Sequence, residues 1–161
     1  MICFTERGAW VCRRLFHKLK ETGEECEAII PKRFLREEWK KEGLKEREEE
    51  FLSQWTGKMF AEKRAMIFVS ATGIAVRAIA PWIRDKMTDP PVVTVDEGAQ
   101  FVIPLLSGHV GGANELARHI ADWLEAVPVI TTATDVNGKF AVDLFASAYH
   151  MTIIDRKEAK N

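Results

Sequence analysis

The sequence predicts a three-layer, Rossmann-like α/β domain with a mostly parallel, partly mixed sheet that includes a β-hairpin. Three observations predict it. Short apolar runs alternate with amphipathic helical stretches along the 161 residues, the pattern of a parallel sheet covered on both faces. Two adjacent strand-like runs are joined by only Glu97–Gly98–Ala99–Gln100, and a short connection containing glycine signals a hairpin. Apolar residues make up 47% of the chain, enough at this length for one ordinary buried core.

Taken in order, residues 1–4 read as a short buried strand. Val11, Leu15 and Leu19 then share one helical face that ends at Gly23, and residues 26–30 (CEAII) form a second strand. Such a βαβ opening favours parallel pairing with a right-handed crossover. From Pro31 to Glu50 charge dominates (KRFLREEWKKEGLKEREEE). This stretch reads either as a mobile surface excursion or as a poorly packed loop leading into a helix near Leu44. In that helix Leu44, Phe51, Trp55 and Met59 form one apolar stripe, and the charges are its solvated face or, alternatively, a partner site.

Residues 65–69 (AMIFV) form a continuous apolar strand, and Val76, Ile79, Ala80 and Ile83 follow at helical spacing, with Pro81 kinking or restarting the helix. Pro90–Pro91 introduce a strand at 92–96, and a second follows at 101–105. The clearest helix spans 113–124, where Ala113, Leu116, Ala117, Ile120, Ala121 and Leu124 share a face. A strand at 127–132 (VPVITT), a loop at 133–138, a helix carrying Val142, Phe145, Ala146 and Tyr149, and an edge strand MTIID complete the pattern. The expected domain is 1–152, with 153–161 beginning a linker or middle region.

Basic and acidic residues nearly cancel, 23 against 24, so no broad field favours nucleic acid or an anionic membrane, and an anionic ligand needs a local site. Cys3, Cys12 and Cys26 lack metal-ligand spacing and read as buried, reduced thiols. The first residues meet charge at Glu6 and Arg7, without a signal-peptide core or a long apolar run, so a cytoplasmic protein is expected. His17, His119 and His150 sit among charged neighbours and read as solvated. There is no GxxxxGK[ST] loop, GxGxxG after the first strand, HExxH or GxSxG, which disfavours ordinary nucleotide enzymes and serine hydrolases.

Three loops are unusual. Ser70–Ala71–Thr72–Gly73 is a strand-to-helix turn that either receives an anion on its backbone N–H groups or simply caps a helix through Thr72. Ser107–Gly108–His109–Val110–Gly111–Gly112–Ala113–Asn114–Glu115 places three glycines around one histidine. Such a density of glycine suggests close backbone approach to a ligand or another loop. His109 can transfer a proton near neutral pH, or merely bond to its own loop. Thr131–Thr132–Ala133–Thr134–Asp135 offers hydroxyls for carboxylate or phosphate oxygens and a carboxylate that orients His109, acts as a base, or caps a turn. In an open α/β sheet ligands bind beyond the carboxyl ends of the strands, where all three loops are expected to meet.

The strings LLSGHVGGANELARHIA at 105–121 and PVITTATD at 128–135 resemble the CbiG family of anaerobic cobalamin-biosynthesis proteins, as do VSATGIAVRAIAPWIRDKMTDPPVVTVDE at 69–97 and VNGKFAVDLFA at 136–146. The resemblance is near-continuous from about residue 66 to residue 146 and loose before it. It implies cobalt-precorrin-5A hydrolase activity: opening of the lactone ring of a cobalt-corrinoid, with loss of acetaldehyde. The implied partner is the corrinoid, with a homodimer left open, and no further cofactor is implied because cobalt arrives with the substrate. Residue chemistry then suggests His109 as the group activating water, oriented by Asp135 or Glu115, although Glu115 also suits a helix N-terminus. Substrate carboxylates would meet Thr72, Gly73, Ser107, Gly108, Gly111, Gly112, Asn114, Thr131, Thr132 and Thr134. Complete family members extend beyond this chain into a middle region and a C-terminal domain. Two alternatives stand beside the enzyme: a corrinoid-binding module whose chemistry lies on the C-terminal domain, and an interaction domain using the charged 32–50 face.

Overall fold

The computed structural model describes residues 1–47 and 51–132. The chain runs β1 (Ile2–Cys3), α1 (Glu6–Glu21), β2 (Ile29–Pro31), α2 (Glu37–Glu42), β3 (Lys45–Arg47), α3 (Phe51–Ala61), β4 (Met66–Val69), α4 (Thr72–Ile79), β5 (Val92–Val95), β6 (Phe101–Leu106), α5 (Ala113–Leu124) and β7 (Val127–Pro128), with 3₁₀ turns at Lys32–Phe34 and Ala80–Trp82. Among the described residues one sheet has the order β3-β2-β1-β4-β5-β6-β7. Strands β1 to β5 are mutually parallel. The β5–β6 pair is antiparallel and β7 lies parallel to β6, so the last two strands run against the first five.

Side chains alternate across each strand, and two cores result. Cys3, Val69, Val93, Val95 and Val102 pack with α1, α2 and α5 on one face. Ile2, Met66, Phe68 and Val92 pack with α3 and α4 on the other. This is the predicted three-layer arrangement. Helix α1 starts where Thr5 Oγ1 accepts the Gly8 N–H at 3.0 Å, and it buries Cys12, Leu15, Phe16 and Leu19. The hairpin is also as expected, and Ala99 in its connection is left-handed, at φ +54°. Asp96 stabilises that conformation by accepting from the N–H groups of Gly98 (3.0 Å), Gln100 (2.8 Å) and Phe101 (2.6 Å).

Five expectations are corrected. The charged stretch after Pro31 is structured: it carries α2 and the edge strand β3, and Leu44 is buried just before β3 instead of opening a helix. A short helix was masked because Trp39 alone supplies its buried face. In α4 Ala75 and Ile79 are the buried residues; Val76 is exposed because it falls on the opposite side of the same helix, and Ile83 because the 3₁₀ turn at Pro81 takes the chain off the helical register. The ring of Trp82 lies so close to Gly57 that a Cβ there would come within 2.7 Å of it. Strand β7 is shorter than 127–132; its Pro128 sits on the outermost described strand, where a missing N–H is tolerated. Cys3 and Cys12 are buried free thiols as expected, but Cys26 is only half-buried. The helix and edge strand expected after residue 138 lie outside the described residues, as does the boundary at 152.

His17 is the fifth. It is not simply solvated: its Nε2 lies 3.0 Å from Glu42 Oε2, whose carboxylate also receives Arg13 Nε and Nη2 at 2.7 Å each. The Arg13 hydrogen bond, assisted by His17, lowers the Glu42 pKa from 4.5 to about 2. A depressed folded-state pKa stabilises the fold above the ordinary carboxylate range, and that contribution disappears as pH falls towards 2. Glu42→Gln is therefore expected to lower Tm at neutral pH, with the gap from wild type closing near pH 2; a gap independent of pH would contradict the assignment.

Candidate functional site

The reversal of β6 and β7 decides where the three loops lie. Leu106 pairs with Val92, and Val92 with Met66, so Ser107 leaves the sheet beside the amino ends of β4 and β5. Ser70 follows the carboxyl end of β4, its N–H donating to Val95 O at 2.9 Å. At about 3.3 Å per residue, the two loops lie roughly 16 Å apart along the strands. The expectation that all three loops converge is thus overturned: Thr72 and Gly73 are not part of the same crevice. Thr72 is also the first helical residue rather than the N-cap, which is Ala71 without a side-chain bond. The Gly73 carbonyl accepts from Arg77 Nη1 at 3.1 Å.

The other two loops do meet. Asn114 is 4% exposed, and its Nδ2 donates to Thr132 Oγ1 at 2.9 Å. Its backbone N–H donates to Gly108 O at 2.9 Å, and the Ala113 N–H to Ser107 O at 3.2 Å. These bonds close residues 107–114 into a compact ring that spends those N–H groups internally. The glycines are explained by proximity. A Cβ on Gly108 would sit 2.6 Å from Asn114 Oδ1, and one on Gly111 would sit 2.4 Å from Ser107 Cβ and 2.8 Å from Ser107 O. Gly112 adopts φ +86° as the N-cap of α5, where L side chains are strained. Ser107 itself has φ +56°.

Within this ring His109 is half-buried and both of its ring nitrogens are shielded from solvent. Glu115 is exposed in the first turn of α5, a favourable place for a carboxylate. Thr131 is exposed and Thr132 half-buried. Thr134 and Asp135 lie outside the described residues.

Asp89 was not anticipated from the sequence. It is 8% exposed, its Oδ2 accepts from the N–H groups of Arg84 (2.9 Å) and Asp85 (3.1 Å), and its carbonyl accepts from Ser107 Oγ at 2.7 Å. It thereby pins the loop to the turn before β5. The acid-turn-proline string Asp85–Pro90 carried a signal for the turn, but nothing in it pointed to Ser107. At the same edge a cavity of about 720 Å³ opens, walled on one side by Leu116, His119 and Trp123 of α5. It draws residues from β4, α1, α3 and α5, so no contiguous motif announces it. Among the described residues no group of His, Cys, Asp and Glu could hold a metal ion, and no helix is long and apolar enough to cross a membrane.

The family model described as Cobalamin synthesis G N-terminal matches residues 54–135, which include the 107–114 loop and Thr132. The chain belongs to that family. Among relatives, the cobalt-precorrin-5A hydrolase of Salmonella typhimurium is 53% identical over 100 residues, covering 62% of this chain and 28% of the relative. The cobalt-precorrin-5A hydrolase of Priestia megaterium is 48% identical over 91 residues, covering 56% and 24%. The matches thus span about a quarter of the length of these cobalamin synthesis G relatives. The crystal structure of a cobalamin biosynthesis protein G homolog from Sulfolobus solfataricus shares the fold, with a TM-score of 0.56 and 24% identity over 99% of this chain and 42% of that one.

Proposed function

We propose that this chain is the N-terminal portion of a cytoplasmic cobalt-precorrin-5A hydrolase, with the domain at 1–152 and a middle region starting near 153. One observation carries the placement of the site: the Asn114–Thr132 hydrogen bond, which draws the glycine-rich loop and the threonine strand end together beside His109. In the proposed reaction His109 takes a proton from water, which adds to the lactone carbonyl and opens the ring to a carboxylate and an alcohol. Loss of the alcohol proton then breaks the adjacent carbon–carbon bond. Acetaldehyde departs, and the electron pair left on the macrocycle is protonated. Asp135 or Glu115 orients His109, the hydroxyls of Thr131, Thr132 and Thr134 meet substrate carboxylates, and cobalt enters only as part of the substrate. With the ring nitrogens shielded, the loop must shift to admit substrate.

The test is acetaldehyde release from cobalt-precorrin-5A. The full-length protein is expected to turn over, and His109→Ala to lose about 10²–10⁴-fold of that rate with an unchanged circular dichroism spectrum. No acetaldehyde from the full-length protein overturns the proposal. A second reading, a corrinoid-binding module whose chemistry lies in the remaining part of the protein, is favoured by the shielding of His109 and by the quarter-length match. Full activity of full-length His109→Ala would support it.

A further inference from the structure

We propose that the turn Ile83–Asp89 is a second wall of the site beside His109, where Arg84 and Lys86 receive carboxylates of the ligand and Ile83 and Met87 meet its apolar body. This rests on the reading that the chain handles a carboxylate-bearing corrinoid. Hydrogen bonds tie the turn to the site. The Ser107 hydroxyl donates to the Asp89 carbonyl at 2.7 Å, which fixes one end of the turn to the loop that carries His109. The Asp89 carboxylate accepts from the N–H groups of Arg84 at 2.9 Å and Asp85 at 3.1 Å, which folds the other end back onto the first. The Asp85 carbonyl also accepts from the N–H groups of Thr88 at 3.0 Å and Asp89 at 2.9 Å, so backbone bonds hold the turn without help from its cationic side chains.

The surface of the turn is therefore left available. Both carboxylates bond to backbone N–H groups, Asp85 Oδ1 taking that of Met87 at 2.7 Å. Arg84 and Lys86 are exposed, and neither enters an ion pair among the described residues. On either side of them Ile83 is 46% and Met87 41% exposed. A single apolar side chain left in water is ordinary. Two of them flanking a pair of cations, on a turn bonded to the histidine loop, match an apolar ring with a carboxylate fringe. The neighbouring cavity does not: Glu24, Glu25 and Glu27 line it against Arg64, and like charges repel. A carboxylate-bearing ligand at His109 is drawn over the turn and away from that cavity.

The probes are cobyrinic acid, a corrinoid with free peripheral carboxylates, and its full methyl ester, titrated into the full-length protein and followed by visible absorbance. Wild type is expected to bind the acid about tenfold more tightly than the ester, the scale of two exposed charge contacts, and added salt should narrow that gap. In the Arg84→Gln, Lys86→Gln double variant the preference should fall to about twofold at unchanged Tm, and Arg84→Lys with Lys86→Arg should retain it. Ile83→Gln with Met87→Gln should weaken acid and ester alike, about fivefold. Equal affinity of wild type for acid and ester, or an undiminished preference in the Arg84→Gln, Lys86→Gln variant, overturns the role of the turn and leaves the corrinoid reading standing. No absorbance change with either probe on adding wild type overturns both.

Discussion

Trp39→Ala is expected to destabilise the chain by about 3–5 kcal/mol, measured by urea denaturation with an unchanged m-value. The indole is 2% exposed in the core shared by α1 and the sheet. Its ring meets Trp10 edge-to-face with centroids 4.7 Å apart, and the guanidinium groups of Arg36 and Arg13 lie 5.2 and 5.6 Å from it. Truncation leaves a cavity that a short helix cannot close by shifting, since α2 is also held to α1 by the Arg13–Glu42 pair. A loss below about 1 kcal/mol, the scale of an ordinary surface substitution or less, would mean that the 37–47 segment is an appendage, as its charge alone suggested.

Gly111→Ala is expected to cost about 1–3 kcal/mol by overpacking and, on the proposed function, to lower acetaldehyde release by the full-length protein about a hundredfold, the scale of misplacing catalytic groups by an ångström. The added methyl group meets Ser107 Cβ and backbone oxygen, and Ser107 cannot retreat without breaking its bond to the Asp89 carbonyl. Gly73→Ala is the paired control. Its Cβ meets only the mobile end of Arg77, at 3.2 Å, and it lies at the opposite edge, so turnover should change less than about twofold. Equal losses in both variants would restore the single-crevice arrangement that the strand directions contradict.

Strand and helix periodicity made most of the fold legible. The helix at 113–124 stands where its apolar spacing put it, because six apolar positions reinforce one face. The hairpin was legible from its length and glycine. What escaped was local structure whose burial rests on one residue, as with Trp39 in α2, and the shape of any site built from distant elements. Thr72 shows the limit clearly. Its loop is the strand-to-helix turn that was expected, although Ala71 and not Thr72 is the N-cap, and only the direction of β6 relative to β4 tells which end of the sheet that turn occupies. Direction is set by the count of reversals along the chain, and a hairpin of five connecting residues, 96–100, is one reversal that moves every later strand end to the other side. The Asn114–Thr132 contact was anticipated as a meeting of two loops for the same reason: β6 and β7 share a direction.

That reversal also sets the electrostatics of the two edges. Helices α1, α2, α3 and α4 each lead towards a strand that starts at the amino edge, so their carbonyl-bearing, partially negative ends gather there. Helix α5 follows a reversed strand and enters from that edge instead. Among the described helices it alone turns its partially positive N-terminus towards the amino edge, which concentrates the attraction for an anionic substituent beside residues 107–114 and leaves the remainder of that rim negative.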